Sequence, residues 1–200
     1  DLRAFLQALE AERELLTIDE PVSPRYEWCA LLAEADRQHG PALHARRIPG
    51  YEATLAGGTL GSRRRLAIGL ETTEDSIGDT YLQRKAAQIP PVTVDSGPCQ
   101  EVVIDRAIDV LAALPVPTYH ERDASPYFTA AVATARSPIT GFQSTGIHRV
   151  QVKGPDRLGI NLANPPLSTF LHEAEQRGER LPIALCIGLD PAMFFSSVVW

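Results

Sequence analysis

Cysteine is scarce in this sequence, aromatic residues are few, and no apolar run lasts long enough to span a bilayer. The three cysteines, Cys29, Cys99 and Cys186, stand far apart, are odd in number and lack CxxC spacing. They suggest neither a disulfide framework nor a zinc site, and a reducing, cytoplasmic setting is expected. A membrane helix needs about 20 consecutive apolar residues, and none is found. Basic charge is short as well: 19 Lys and Arg stand against 25 Asp and Glu, a formal net charge of −6. That sign opposes nucleic acid as the main partner, because phosphate binding calls for a basic surface. Only Arg63, Arg64 and Arg65 run together, and they are expected to form a solvated helix start. GxSxG, Walker and GxGxxG signatures are missing, which removes support for acyl hydrolysis, P-loop nucleotide use and an ordinary dinucleotide site. No basic stretch followed by an apolar one opens the chain, so no secretory leader is expected in it, and the missing initiator Met points to trimming.

What is present is globular: 200 residues, 44% hydrophobic and 22% charged, enough for one generous core or two small ones. DLRAFLQALEAERELL places Leu2, Phe5, Leu6 and Leu9 on one helical face. SPRYEWCALLAEADRQHG offers Ser23 as N-cap, Pro24 at the first helical position, Leu31, Leu32 and Ala35 facing inward, and Gly40 as the stop. Short apolar runs at PALHARRI and ATLAGG, then helical SRRRLAIGL and EDSIGDTYLQRKAAQ, complete an α/β N-terminal domain. From QIPPVTVDSGPCQ the composition turns to Pro, Gly and β-branched residues, which predicts a connector and a boundary near residue 95. The domains read as 1–95 and 96–200. In the second, Pro115 and Pro117 make ALPVPTY an extended crossing segment. Strands follow at YFTAAVATARS, GIHRVQVKG and RLGINLA, separated by turns, and suggest an antiparallel sheet or barrel. LSTFLHEAEQRG is a helix ended by Gly178, PIALCIGLD a buried strand, and DPAMFFSS a helix start.

The stretch FQSTGIHRVQVKG puts small residues, Ser144, Thr145 and Gly146, ahead of Ile147, His148 and Arg149. Read as a loop, the small residues let backbone N–H groups approach a ligand, and a guanidinium fork matches a phosphate or carboxylate. Strand alternation then lets only one of His148 and Arg149 face a pocket, with Val150 and Val152 opposite Arg149. Arg149 is the better candidate, since its charge is permanent. His120, Glu121 and Asp123 form a conceivable metal cluster, His172, next to Glu173 in a predicted helix, reads as a surface residue, and GGTLGS is the nearest approach to a phosphate-binding turn.

Taken in order, ALPVPTYHERDASPYFTAAVATARSPITG, STGIHRVQVKGPDRLGI and LPIALCIGLDPA resemble the UbiD family of decarboxylases. The likeness extends to the first helices and GSRRRLAIGL and covers almost the whole chain. It implies reversible, non-oxidative decarboxylation of an aromatic or α,β-unsaturated acid with prenylated FMN, held with manganese and often potassium. It also implies a β-rich split-barrel domain of the flavin-reductase kind, of which residues 96–200 would be the first part. Carried over by position, Ser144, Thr145, Gly146, Ile147, His148 and Arg149 fall on a cofactor-contacting segment, and Arg149 on the catalytic arginine. Asn161, Leu162 and Ala163 fall on a second such stretch, Pro166 and Leu167 near a third, and Ser196 and Ser197 on a later contact.

The departures from the family pattern are specific. Ser144 stands where the family has a metal-binding asparagine, Pro165 or Pro166 where it has a metal-binding histidine, and Asn161 where an arginine often approaches the phosphate. The family's remaining acidic ligand and catalytic acids fall beyond Trp200, so the chain is expected to be a fragment, or to rely on a homo-oligomer or a second subunit for them, or to be a degenerate relative. Three readings follow: a UbiD-like decarboxylase that this chain alone does not complete, a non-catalytic scaffold keeping the fold, or a module for ordinary FMN.

Overall fold

The computed structural model describes residues 1–198 except Gln88 and Pro91; those two positions of the predicted connector, and Val199 and Trp200 at the end of the second domain, lie outside the described residues. The first layer is built from helix α1 (Leu2–Ala11), strand β1 (Leu15–Pro21), helix α2 (Glu27–Arg37), and strands β2 (Ala42–Arg47) and β3 (Leu55–Gly57). β1 and β2 run parallel with α2 as crossover, and β3 adds antiparallel to β2. Alternation divides β2: Leu43 and Ala45 pack with Trp28, Cys29 and Val22 under α2, while Ala42 packs with Phe5 and Leu9 of α1. The predicted α1 stripe thus faces the sheet, and burying Phe5 and Leu9 contributes about 1.5–3 kcal/mol each. Burial pushes the Cys29 thiol up to about 11, with the Asp123 charge adding to the effect.

Two expectations are corrected here. Ser23 is not the cap of α2, which begins at Glu27 after Tyr26 in a positive-φ conformation. The reason lies far along the chain: Thr118 N donates to Pro24 O at 3.1 Å and Tyr26 N donates to Thr118 O at 2.9 Å, drawing Pro24–Tyr26 into a bridge. Nor is the arginine triplet solvated throughout. Ser62 caps helix α3 (Arg63–Gly69), and Arg65 turns inward, 6% exposed, with Nη1 2.8 Å from Gly40 O and 3.4 Å from Glu14 Oε2. A helical turn at Glu74–Ser76 leads into helix α4 (Ile77–Ala86).

After the short helix α5 (Val110–Ala113), strands β4 (Tyr127–Arg136), β5 (Gln143–Gly154), β6 (Arg157–Ile160) and β7 (Ile183–Cys186) form one antiparallel sheet in the order β6-β5-β4-β7. Helix α6 (Leu167–Gln176) packs Leu167, Phe170 and Ala174 inward and ends before Gly178, whose φ of +66° favours glycine. Helix α7 (Pro191–Ser196) starts on an Asp190 cap. β7 was expected to be buried; it is an edge strand covered on one side only.

The segment Val116–Tyr119 is the seam between the two sheets. Val116 packs with Phe128, Ala131, Val150 and Val152, whereas Tyr119 packs against the α2 cluster. Before it, Ile89, Val92, Val94, Val102, Val103 and Ile104 are all exposed, and no strand lies between residues 92 and 109. Limited proteolysis is expected to cut first within this connector and to spare β4 and β5; early cuts inside Tyr127–Arg136 would count against a division there. Among the described residues no helix is long and apolar enough to cross a membrane.

Candidate functional site

The run Ser144–Arg149 is strand, not loop. β5 begins at Gln143, and Ser144, Thr145 and Gly146 pair with Ala135, Thr134 and Ala133 of β4. Small residues suit a tightly packed layer here: a Cβ on Gly146 would stand 3.0 Å from His148 Nε2 and 3.8 Å from Leu167 Cδ1.

Alternation then splits the six residues between two faces. Ser144, Gly146 and His148 lie on the face of Ala131, Ala133 and Ala135, all buried, and of Val150 and Val152. His148 is half-buried there, its Nδ1 3.2 Å from Asn161 O. Leu162 and Leu167 are core residues of the same layer. Thr145, Ile147 and Arg149 lie on the other face, Thr145 and Ile147 half-buried and Arg149 exposed.

Arg149 faces a β-bulge. Phe128 pairs with Val150 and Ala131 with His148, so Thr129 and Ala130 together stand opposite the single residue Arg149. Its Cζ lies 5.3 Å from the centroid of the Tyr127 ring. Tyr127 N donates to Pro117 O at 2.9 Å, and Thr129 Oγ1 shares a 2.6 Å hydrogen bond with the Tyr119 hydroxyl. Burial raises the Tyr119 pKa, with the bond to Thr129 working against it. No ion pair involves Arg149 among the described residues.

The remaining candidates are dispersed. Ala163 is exposed and Pro166 half-buried at the entry to α6. Ser196 Oγ donates to Met193 O and Ser197 Oγ to Phe194 O, so both hydroxyls are used within α7. His172 meets Gln176, Glu173 accepts from Ser137 Oγ at 2.6 Å, and Asp123 accepts from His120 N at 3.0 Å as a turn. Residues 57–62 are a plain entry to α3.

A family model described as the 3-octaprenyl-4-hydroxybenzoate carboxy-lyase Rift-related domain matches residues 91–200, and the model of the corresponding N-terminal domain matches 6–85. The chain belongs to the UbiD family. Anhydromevalonate phosphate decarboxylase of Methanothermobacter thermautotrophicus is 31% identical over 196 residues, 98% of this chain and 44% of that protein. Phenolic acid decarboxylase of Sedimentibacter hydroxybenzoicus is 32% identical over 209 residues, again 98% of this chain and 44% of that protein. An evolved dimeric form of the UbiD-class enzyme HmfF from Pelotomaculum thermopropionicum, in complex with prFMN, superimposes with a TM-score of 0.92 at 36% identity, covering 98% of this chain and 46% of that one. The chain therefore has the mixed α/β UbiD-class fold and spans less than half the length of the curated relatives it matches.

The residues fit the UbiD flavin better than its metal. The face of β5 bearing Thr145, Ile147 and Arg149 offers a permanent cation beside half-buried small and apolar side chains, while the space beside Gly146 on the other face is filled by His148. For the metal, Ser144 brings a neutral hydroxyl on the core face, and Pro165 and Pro166 bring no side-chain donor. Among the described residues no group of three or more His, Cys, Asp and Glu could hold an ion.

Proposed function

We propose that this chain forms the flavin- and carboxylate-facing part of a UbiD-type decarboxylase acting on an aromatic or α,β-unsaturated acid. The observation that carries the reading is Arg149: an exposed guanidinium with no acidic partner among the described residues, on the open face of β5 in a chain of this family. The overall change is the breaking of one C–C bond, loss of CO₂ and protonation of the carbon left behind, with no net oxidation. When bound, prenylated FMN supplies the electron sink for that bond cleavage. Arg149 holds the carboxylate through its paired N–H donors, and Thr145 and Ile147 line the neighbouring stretch of the strand. Asn161, Ala163, Pro166, Ser196 and Ser197 complete the proposed cofactor contacts through backbone or side chain, and the sheet is read as part of a flavin-reductase-like split barrel.

Further polypeptide, from the rest of a longer chain, a homo-oligomer or a second subunit, is proposed to cover this surface and to bring acids to Arg149. Support comes from length: the chain spans only 44% of each of the curated relatives compared above. A reducing, cytoplasmic setting is proposed from the three free thiols.

Manganese is expected to bind weakly or not at all, with potassium equally unsupported by side chains. Calorimetry showing tight stoichiometric manganese binding in the presence of FMN would overturn that expectation and turn attention to His148 or His172. The lack of fitting metal ligands also favours a second reading, a non-catalytic scaffold. Reconstitution with prenylated FMN separates the two: a retained flavin spectrum supports the decarboxylase, and a protein that leaves desalting colourless supports the scaffold.

A further inference from the structure

Two arginines, Arg65 buried and Arg149 exposed, are held in opposite ways. Arg65 is fastened by a carboxylate, Glu14, which neutralises it. Arg149 is fastened by a ring face, which attracts the guanidinium without cancelling its charge or occupying its in-plane donors. Rings beside guanidinium groups occur about once per 70–80 residues, so the contact alone is no signal. Arg25 and Tyr26 form a second such pair, but they are adjacent in the chain and lie on the surface.

What distinguishes Tyr127 is how it is mounted. It opens β4 two residues before the bulge opposite Arg149, its N–H is tied to Pro117 O, and bulge residue Thr129 is tied to Tyr119. The platform is therefore anchored to the crossing segment at Tyr127 itself and at the bulge opposite Arg149, independently of any ligand. We infer that Tyr127 is a positioning residue, which holds the Arg149 guanidinium over its ring so that the fork is presented to a carboxylate already aimed and still fully charged. This rests on the proposal that Arg149 receives a carboxylate. The ring acts through its face, so its hydroxyl is dispensable.

The test uses the 200-residue chain, labelled with ¹⁵N, with benzoate as the probe. Tyr127→Phe should bind benzoate as the wild type does and keep the ring-shifted Arg149 Nε–H resonance. Tyr127→Leu should weaken benzoate about 3- to 5-fold, the scale of one exposed cation–π contact, and move that resonance; Tyr127→Ile serves if the leucine variant does not fold. In an Arg149→Lys background the same Tyr127 change should have less than about a two-fold further effect, because coupled residues are not additive. Wild-type affinity in Tyr127→Leu, equal losses in both backgrounds, or a phenylalanine variant that behaves like leucine would each overturn the inference. If wild-type protein binds no benzoate, the carboxylate reading fails by itself. The platform is then decided by the Nε–H resonance alone: movement in Tyr127→Leu sustains it and an unchanged signal removes it.

Discussion

With lysine at position 149, decarboxylation by the flavin-loaded enzyme should fall by about 5- to 150-fold, the equivalent of about 1–3 kcal/mol for a lost charge-assisted hydrogen bond. The substitution keeps the positive charge and removes the planar fork, so it separates bidentate recognition from simple attraction. Arg149 is exposed and makes no ion pair among the described residues, so folding should hardly notice: thermal midpoints are expected within about 2 °C of each other, as for most surface changes. Activity, flavin content and thermal unfolding measured on one preparation decide the matter. A lysine variant that keeps its flavin and turns over at the wild-type rate would remove Arg149 from the chemistry, and one that melts much earlier would make it a structural residue.

The largest effect on stability is expected at Arg65. Its guanidinium sits between α3, the end of α1 and the start of β2, bonded to Gly40 O and paired with Glu14, and its buried Nε has no partner among the described residues. Removing one member of a buried pair strands the other, and Arg65→Ala is expected to cost about 3 kcal/mol, the lower end of the range for such pairs. The lower end applies because Glu14 keeps Arg64 at 3.3 Å. For a chain of this size that corresponds to a fall of about 6–12 °C in the melting midpoint. Arg63→Ala, whose exposed side chain reaches only Glu74 O among the described residues, is the control and should stay within about 0.5 kcal/mol of wild type. A drop of less than about 2 °C for Arg65→Ala would mean that water replaces the guanidinium without penalty.

These residues mark how far the sequence was readable. Local periodicity carried α1, through Phe5 and Leu9, and α6, through Leu167, Phe170 and Gly178, because each depends on neighbours within a few turns. Interactions from far along the chain were invisible. Thr118 moves the start of α2 from Pro24 to Glu27, and Glu14, 51 positions away, draws Arg65 out of a triplet that looks solvated. Ser-Thr-Gly reads as a loop because Gly disfavours strands, yet Gly146 is needed where His148 and Leu167 close over it. Arg149 was legible from its residue type and from the family likeness. Its partner Tyr127 was not, since a bulge in β4 sets which residues oppose it, and a period-two pattern does not register an extra residue.

That extra residue has a consequence for how the chain tolerates changes of length. Deleting Ala130 would leave Tyr127 opposite Gln151, Phe128 opposite Val150 and Ala131 opposite His148, with Thr129 alone across from Arg149: every present pairing survives and strict alternation is restored. A deletion elsewhere in β4, at Val132 for example, would instead turn one end of the strand inside out. The bulge is thus the one point in β4 where the ladder admits a length variant, and a regular strand there would carry the same core. What the insertion alters is twist, and with it the direction in which Arg149 and its ring project, so its presence is better explained by aim than by stability.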